Sequence, residues 1–174
     1  ADETEQSGIE FIGDGSIDAD IEVISMAYEA LKRNNVASFK LELCHAGFFK
    51  SILNKMNITA TQKADICKLI EGKNYAALGD MLAKFPDSKE ADVIKKLPRL
   101  FGDVSVINEA KKIYNDEKSN EALDYLRSVY EKLCDMGLGD NITIDLGLVN
   151  RSNYYTGVIF RGYAEAVSYT HLRA

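Results

Sequence analysis

The chain has 174 residues, 46% hydrophobic and 28% charged, which is enough apolar material for a core and too much for a disordered segment. A net charge of −6 and a pI near 5.0 argue against a dominant nucleic-acid or anionic-membrane surface. No signal peptide and no apolar run of ~18 residues is present, so secretion and membrane spanning are not indicated and a cytoplasmic location is expected.

Both ends read as truncated. Residues 3–12 alternate weakly and stop at "GDGS", a turn signal. From Asp18 the period becomes helical, with Ile21, Ile24, Tyr28 and Leu31 on one face and "RNN" at 33–35 as the stop. Phe39, Leu41 and Leu43 alternate with Lys40 and Glu42 as a half-buried strand. After "CHAG" a second helical run carries Phe48, Phe49, Ile52, Leu53 and Met56. Residues 57–137 read as short amphipathic helices without a strand: Ile66 to Ile70, Tyr75 to Phe85, Val93 to Leu97, Val104 to Tyr114 and Ala122 to Leu133, punctuated by Pro86 and Pro98. Period two returns with Ile142, Ile144, Leu146 and Leu148, and "ITIDLGLVNRSNYYTGVIFRGY" reads as a hairpin. Strands flanking a helical block and closing on a hairpin predict an α+β fold with an antiparallel sheet. The last eight residues, "VSYTHLRA", are the in-frame reading of a transposase sequencing-adapter end. Residues 167–174 are therefore expected to be an adapter-derived tail, in which His171 has no functional weight.

Few residues carry chemistry by pattern alone. Cys44, Cys67 and Cys134 form no CxxC, and two histidines assemble no zinc-ligand spacing, so reduced thiols and no metal site are expected. Phosphate-loop, dinucleotide, GxSxG and HExxH motifs are absent. Tyr154 and Tyr155 can be strand aromatics that only pack. Because neighbours on a strand face opposite ways, one can also pack while the other stacks on and orients a planar ligand. Thr156-Gly157 sets a position without a side chain beside them, where a ligand or backbone can approach. Gln6 and Glu10, four residues apart, share a strand face where an amide and a carboxylate could receive an ammonium group. Asp145 could bind an amine or face solvent. His45, at a strand-to-helix turn, suits capping or packing better than catalysis.

These pieces together resemble a family. "ETEQSGIEFIG" followed by "DADIEVISMAYEAL" resembles the stretch beginning in motif 2 of histidyl-tRNA synthetases, E-x-x-Q-x-G-x-E-x-x-G and then D-A-E-hydrophobic. "DLGLVNRSNYYTGVIF" resembles that family's histidine-binding signature, close to LVRGLDYYTGxxFE. The blocks come in the family's order, are separated by a helical insert, and with it cover nearly all of residues 3–163. "FKLELCHAGFF" and "YYTGVIFRGY" look like a catalytically retired relative with the same fold, the regulatory subunit of ATP phosphoribosyltransferase. Where the synthetase signature has Arg, this chain has Asn150, and where it has Glu after Phe, this chain has Arg161. Arg151 is adjacent, but a one-residue slip would turn its side chain to the other strand face. An Asn amide cannot supply the charged fork that stabilises the α-phosphate during adenylate formation, a loss on the order of 10²-fold or more in rate.

The resemblance implies a class II aminoacyl-tRNA synthetase-like sheet flanked by helices, with a helical insertion at about residues 57–137. It implies histidine binding through Gln6, Glu10, Asn150, Tyr154, Tyr155, Thr156 and Gly157, with no catalytic residue and no cofactor of its own. The implied partner is the short-form ATP phosphoribosyltransferase catalytic subunit, which uses Mg²⁺, in a hetero-oligomer with histidine as effector. The insert carries 14 Lys/Arg and 14 Asp/Glu between residues 54 and 137, a balance that suits a protein partner or solvation better than tRNA phosphates. Two other readings stand beside this one: a histidyl-tRNA synthetase fragment, and an α+β domain whose tyrosines merely pack.

Overall fold

A computed structural model of the chain describes residues 6–7, 16–34, 38–149 and 157–164. The strands are β1 (Gln6–Ser7), β2 (Phe39–His45), β3 (Phe101–Gly102), β4 (Ile142–Asp145) and β5 (Val158–Ala164). The helices are α1 (Ile17–Arg33), α2 (Ala46–Lys55), α3 (Ala60–Glu71), α4 (Tyr75–Leu82), α5 (Lys89–Lys96), α6 (Ser105–Ile113) and α7 (Glu117–Asp135).

The helices start and stop where local chemistry says they should. Ser16 caps α1 by accepting from the Ala19 amide at 3.2 Å, while Asp18 and Asp20 lie at its positive end and Lys32 and Arg33 at its negative end. Thr59 and Gln62 form a reciprocal capping box on α3. Helix α7 buries Ala122, Leu123, Leu126, Val129 and Leu133, a three-to-four spacing that lays one apolar stripe on α2, α1 and β2. It ends at Gly137, whose φ of 85° lets the Leu138 amide turn back to the Leu133 carbonyl at 3.0 Å. The helices between β2 and β4 share one hydrophobic cluster with the sheet.

The sheet order is β1-β5-β2-β4-β3. Strands β1–β5, β5–β2 and β4–β3 pair antiparallel, as expected, while β2–β4 pair parallel. A parallel pair needs a long crossover, and the helical block between β2 and β4 is that crossover. This overturns the expected closing hairpin. Strands β4 and β5 do not pair, because β2 lies between them and bonds to both. Strand β2 is the middle strand of the sheet, and its inward row, with Leu41 and Leu43 fully buried, forms part of the core.

Two further expectations change. The helical block contains a strand, β3, too short for periodicity to reveal, held by Phe101 opposite Asp145 and Gly102 opposite Ile144. Strand β4 stops at Asp145 and does not run on to Leu148, because the Asp145 carboxylate accepts the Gly147 amide at 2.9 Å and turns the chain. A Cβ at Gly147 would lie 3.2 Å from the Leu97 carbonyl oxygen, so the turn needs glycine for that close approach.

Candidate functional site

Of the residues expected to bind histidine, Glu10, Asn150, Tyr154, Tyr155 and Thr156 lie outside the described residues, as does the 167–174 tail. Gln6 and Gly157 are within them. Gln6 sits in β1 opposite Tyr163 of β5, and Gly157 immediately precedes the first residue of β5. The N-terminal and C-terminal blocks, remote in sequence, therefore meet as neighbouring strands. The row of Gln6, Tyr163 and Lys40 continues this contact across β1, β5 and β2.

Gly157 is tied down on its other side. Its carbonyl accepts the Ala46 amide at 2.9 Å, at the first residue of α2. A Cβ at Gly157 would meet nothing within 4 Å, so the space beside it is open. His45, paired in register with Val158, is the N-cap of α2, as its place in the sequence suggested. Its Nδ1 accepts the Gly47 amide at 3.0 Å, and its ring stands edge-on to Tyr125 with centroids 5.3 Å apart. Burial lowers the imidazole from 6.5 to about 4, so the ring is neutral at physiological pH and free to accept. The preceding residue, Cys44, is buried and its thiol is pushed up to about 12, chiefly by desolvation, which leaves it unreactive.

The sheet turns one face to α1 and α7, while its other face carries polar side chains. On that face Thr143, Glu42 and Arg161 form one row across β4, β2 and β5. The Arg161 Nη2 donates to Glu42 Oε2 at 2.7 Å. Together with Lys40 and Asp145 these residues floor a cleft of about 390 Å³, walled by Lys73 and Tyr75 from the α3–α4 turn and by Phe101. A volume near this suits a small organic ligand. Asp145, left open between amine binding and solvent, is half-buried in this cleft. Its carboxyl is shifted upward, first by desolvation and then by the Glu42 charge, against the Gly147 amide and the cations Arg161 and Lys73.

Arg161 was visible in the sequence as a departure from the synthetase signature, but Glu42 was not recognised as its partner. The signal was present in the alternation of Lys40 and Glu42 along β2, which marks a polar face; only the register identifies which residue stands opposite. A glutamate at 161 would face Glu42 directly, a like-charge pair that costs stability. Arginine there converts the row into an ion pair.

Among the described residues no group of three or more His, Cys, Asp or Glu could hold a metal ion, and no helix is long and apolar enough to cross a membrane. The cleft residues Glu42, Arg161, Tyr75 and Phe101 offer charge, hydrogen bonds and aromatic surface to a ligand.

Comparison with known proteins agrees with this geometry. The chain is 44% identical over 168 residues to a protein of Clostridium novyi (strain NT) named ATP phosphoribosyltransferase regulatory subunit, covering 95% of this chain and 40% of that protein. It thus spans well under half the length of that relative. A crystal structure from Bacillus halodurans, described as an ATP phosphoribosyltransferase regulatory subunit/histidyl-tRNA synthetase, superposes with a TM-score of 0.80 at 31% identity, over 95% of this chain and 44% of that one. A chain from an ATP phosphoribosyltransferase complex of Thermotoga maritima shares the fold, with a TM-score of 0.65 at 15% identity over 94% of this chain and 72% of that one. The family model for histidyl-tRNA synthetase matches residues 1–173. With that match running almost end to end and the synthetase-like sheet in place, the chain belongs to the histidyl-tRNA synthetase family.

Proposed function

We propose that this chain is part of the regulatory subunit of ATP phosphoribosyltransferase, a protein without catalysis of its own that acts in the first step of histidine biosynthesis. The observation that carries the proposal is the 44% identity to a protein of that name, sustained over 95% of the chain. Two residues agree with it. Asn150 replaces the arginine needed for adenylate formation, and Arg161, paired with Glu42, replaces the glutamate of the synthetase signature. In this reading the subunit works in the cytoplasm and assembles with the short catalytic subunit, which carries the Mg²⁺-dependent transfer. Histidine bound by Gln6, Glu10 and the Tyr154–Gly157 segment favours one state of the assembly over another, as allostery requires.

The test uses the full-length protein. Added to a short-form catalytic subunit, it is expected to raise formation of phosphoribosyl-ATP from ATP and phosphoribosyl pyrophosphate, and histidine is expected to suppress that gain. The same protein is expected to give no histidine-dependent ATP–pyrophosphate exchange. Robust exchange without stimulation would overturn the proposal in favour of a synthetase.

A further inference from the structure

Two of the large side chains left exposed among the described residues stand on the polar cleft: Tyr75, 45% exposed at the first position of α4, and Phe101, 62% exposed in β3. Rings open to solvent on the walls of a cleft are a surface for a ligand to cover. Phe101 lies directly opposite Asp145 in the β3–β4 register, which sets ring and carboxylate side by side with Cβ atoms about 5 Å apart. Thr143, two residues earlier on the same face of β4, pairs with Glu42, so the Asp145 and Glu42 carboxylates are diagonal neighbours.

The two acids are not equivalent. Glu42 accepts from Arg161 Nη2 at 2.7 Å and forms a closed pair with it. Asp145 Oδ1 accepts the Gly147 amide at 2.9 Å, and among the described residues no side chain donates to this carboxylate. Arg161 and Lys73 act on it through their charge alone, and burial leads the causes that push its carboxyl upward. A half-buried carboxylate in that position is stabilised by a cation brought to it. The rest of the cleft restricts what that cation can be. Lys40, Lys73 and Arg161 face Glu42, Glu71 and Asp145, three cations against three acids, a balance that suits a ligand of no net charge. A purely cationic ligand meets the two exposed lysines, whereas one that also carries a carboxylate is matched by them. Lys40 already donates to the Asp140 carbonyl at 2.7 Å, which assigns that carboxylate to Lys73.

We propose that this cleft is a binding site for a free α-amino acid with a flat side chain: Asp145 takes the ammonium, Lys73 the carboxylate, and Tyr75 and Phe101 the ring. The site shares no residue with the signature read as binding histidine, so it stands or falls separately from that reading.

The experiment is titration calorimetry on the full-length protein with three probes. L-phenylalanine carries both charges and a ring, phenethylamine lacks the carboxylate, and L-alanine lacks the ring. L-phenylalanine is expected to bind at millimolar concentration or below, and each of the other two at least about tenfold more weakly. Asp145→Asn keeps an oxygen for the Gly147 amide and removes the charge, so the phenylalanine Kd is expected to rise about ten- to a hundredfold. Tyr75→Ala, at an exposed helix position, is expected to raise it about three- to tenfold. Lys73→Gln, at an exposed turn, is expected to raise it about threefold and keeps the test decisive if Asp145→Asn does not fold. Absence of phenylalanine binding would overturn the proposal. So would phenethylamine binding as tightly as phenylalanine, which makes the cleft a reader of cations, or L-alanine binding as tightly, which leaves the rings idle. An unchanged Kd in the folded variants would place phenylalanine elsewhere in the molecule and overturn it as well.

Discussion

Arg161→Glu restores the acid of the synthetase signature, and the structure says it cannot be restored alone. The Arg161 guanidinium lies 2.7 Å from Glu42 across adjacent strands, with side-chain exposures of 30% and 14%. At such a separation and an effective dielectric near 20, the gross attraction is about 6 kcal/mol, most of it offset by desolvation. Truncation to Arg161→Leu removes the attraction and leaves Glu42 partly buried without a cation, a loss of about 2 kcal/mol. Arg161→Glu adds repulsion from Glu42, for a total of about 3–4 kcal/mol. It also removes a cation that holds the Asp145 carboxyl down, so that group is expected to move further upward.

Urea denaturation of the full-length protein measures these losses, and the double swap Glu42→Arg with Arg161→Glu is the control. The swap is expected to recover at least half of the loss, giving a coupling of about 1–2 kcal/mol in the double-mutant cycle. Stability of Arg161→Glu within about 0.5 kcal/mol of wild type would refute the argument, because an exposed pair of little worth would behave that way. A coupling of zero would refute it as well, since the cost would then come from backbone or packing.

His45 gives a pH dependence with a definite sign. Its folded value is depressed from 6.5 to about 4, so the stability tied to the neutral ring is fully present above pH 6.5 and lost as pH falls through about 4, a swing of about 3 kcal/mol. Asp145, shifted upward by burial, acts in the opposite sense, so the measurement is the difference in urea midpoint between pH 7 and 4.5 for wild type and His45→Asn; equal differences would refute the assignment. Gly47→Ala should fail to deliver the usual helix gain of about 0.5–1 kcal/mol, because the new methyl would displace the His45 cap, and a thermal melt showing that gain would contradict the geometry. Lys73 sits at a φ of 54° just after α3, a left-handed position usually filled by glycine, so Lys73→Gly is expected to stabilise by about 0.5–1 kcal/mol, with an unchanged melting temperature counting against strain there.

What the residues disclosed in advance follows a physical division. Local features were legible. The 3.6-residue periodicity of Ile21, Ile24, Tyr28 and Leu31 and the stop at 33–35 act within a turn or two, and each appears where expected. The cap at His45 was legible for the same reason. Strand partnership was not, because alternation states which face is apolar and says nothing of which strand lies alongside. The run from Ile142 to Tyr163 has two alternating segments and a polar break, which is what a hairpin shows. It is also what two strands show when a third enters between them, as β2 does. The two-residue strand β3 exists only because β4 offers it an edge.

The same limit governs the site. Asn150 and Arg161 could each be recognised in sequence as departures from one signature. The register places Arg161, while Asn150 lies outside the described residues. Arg161 has a partner, Glu42, on a strand more than a hundred residues away, and the pair bridges β2 and β5 on the polar face. Arg161 ties the middle of β5 to β2, and the Ala46 amide holds Gly157, immediately before the first residue of β5. Arg161 and the Ala46 amide therefore fix β5 at two points, against β2 and against the start of α2.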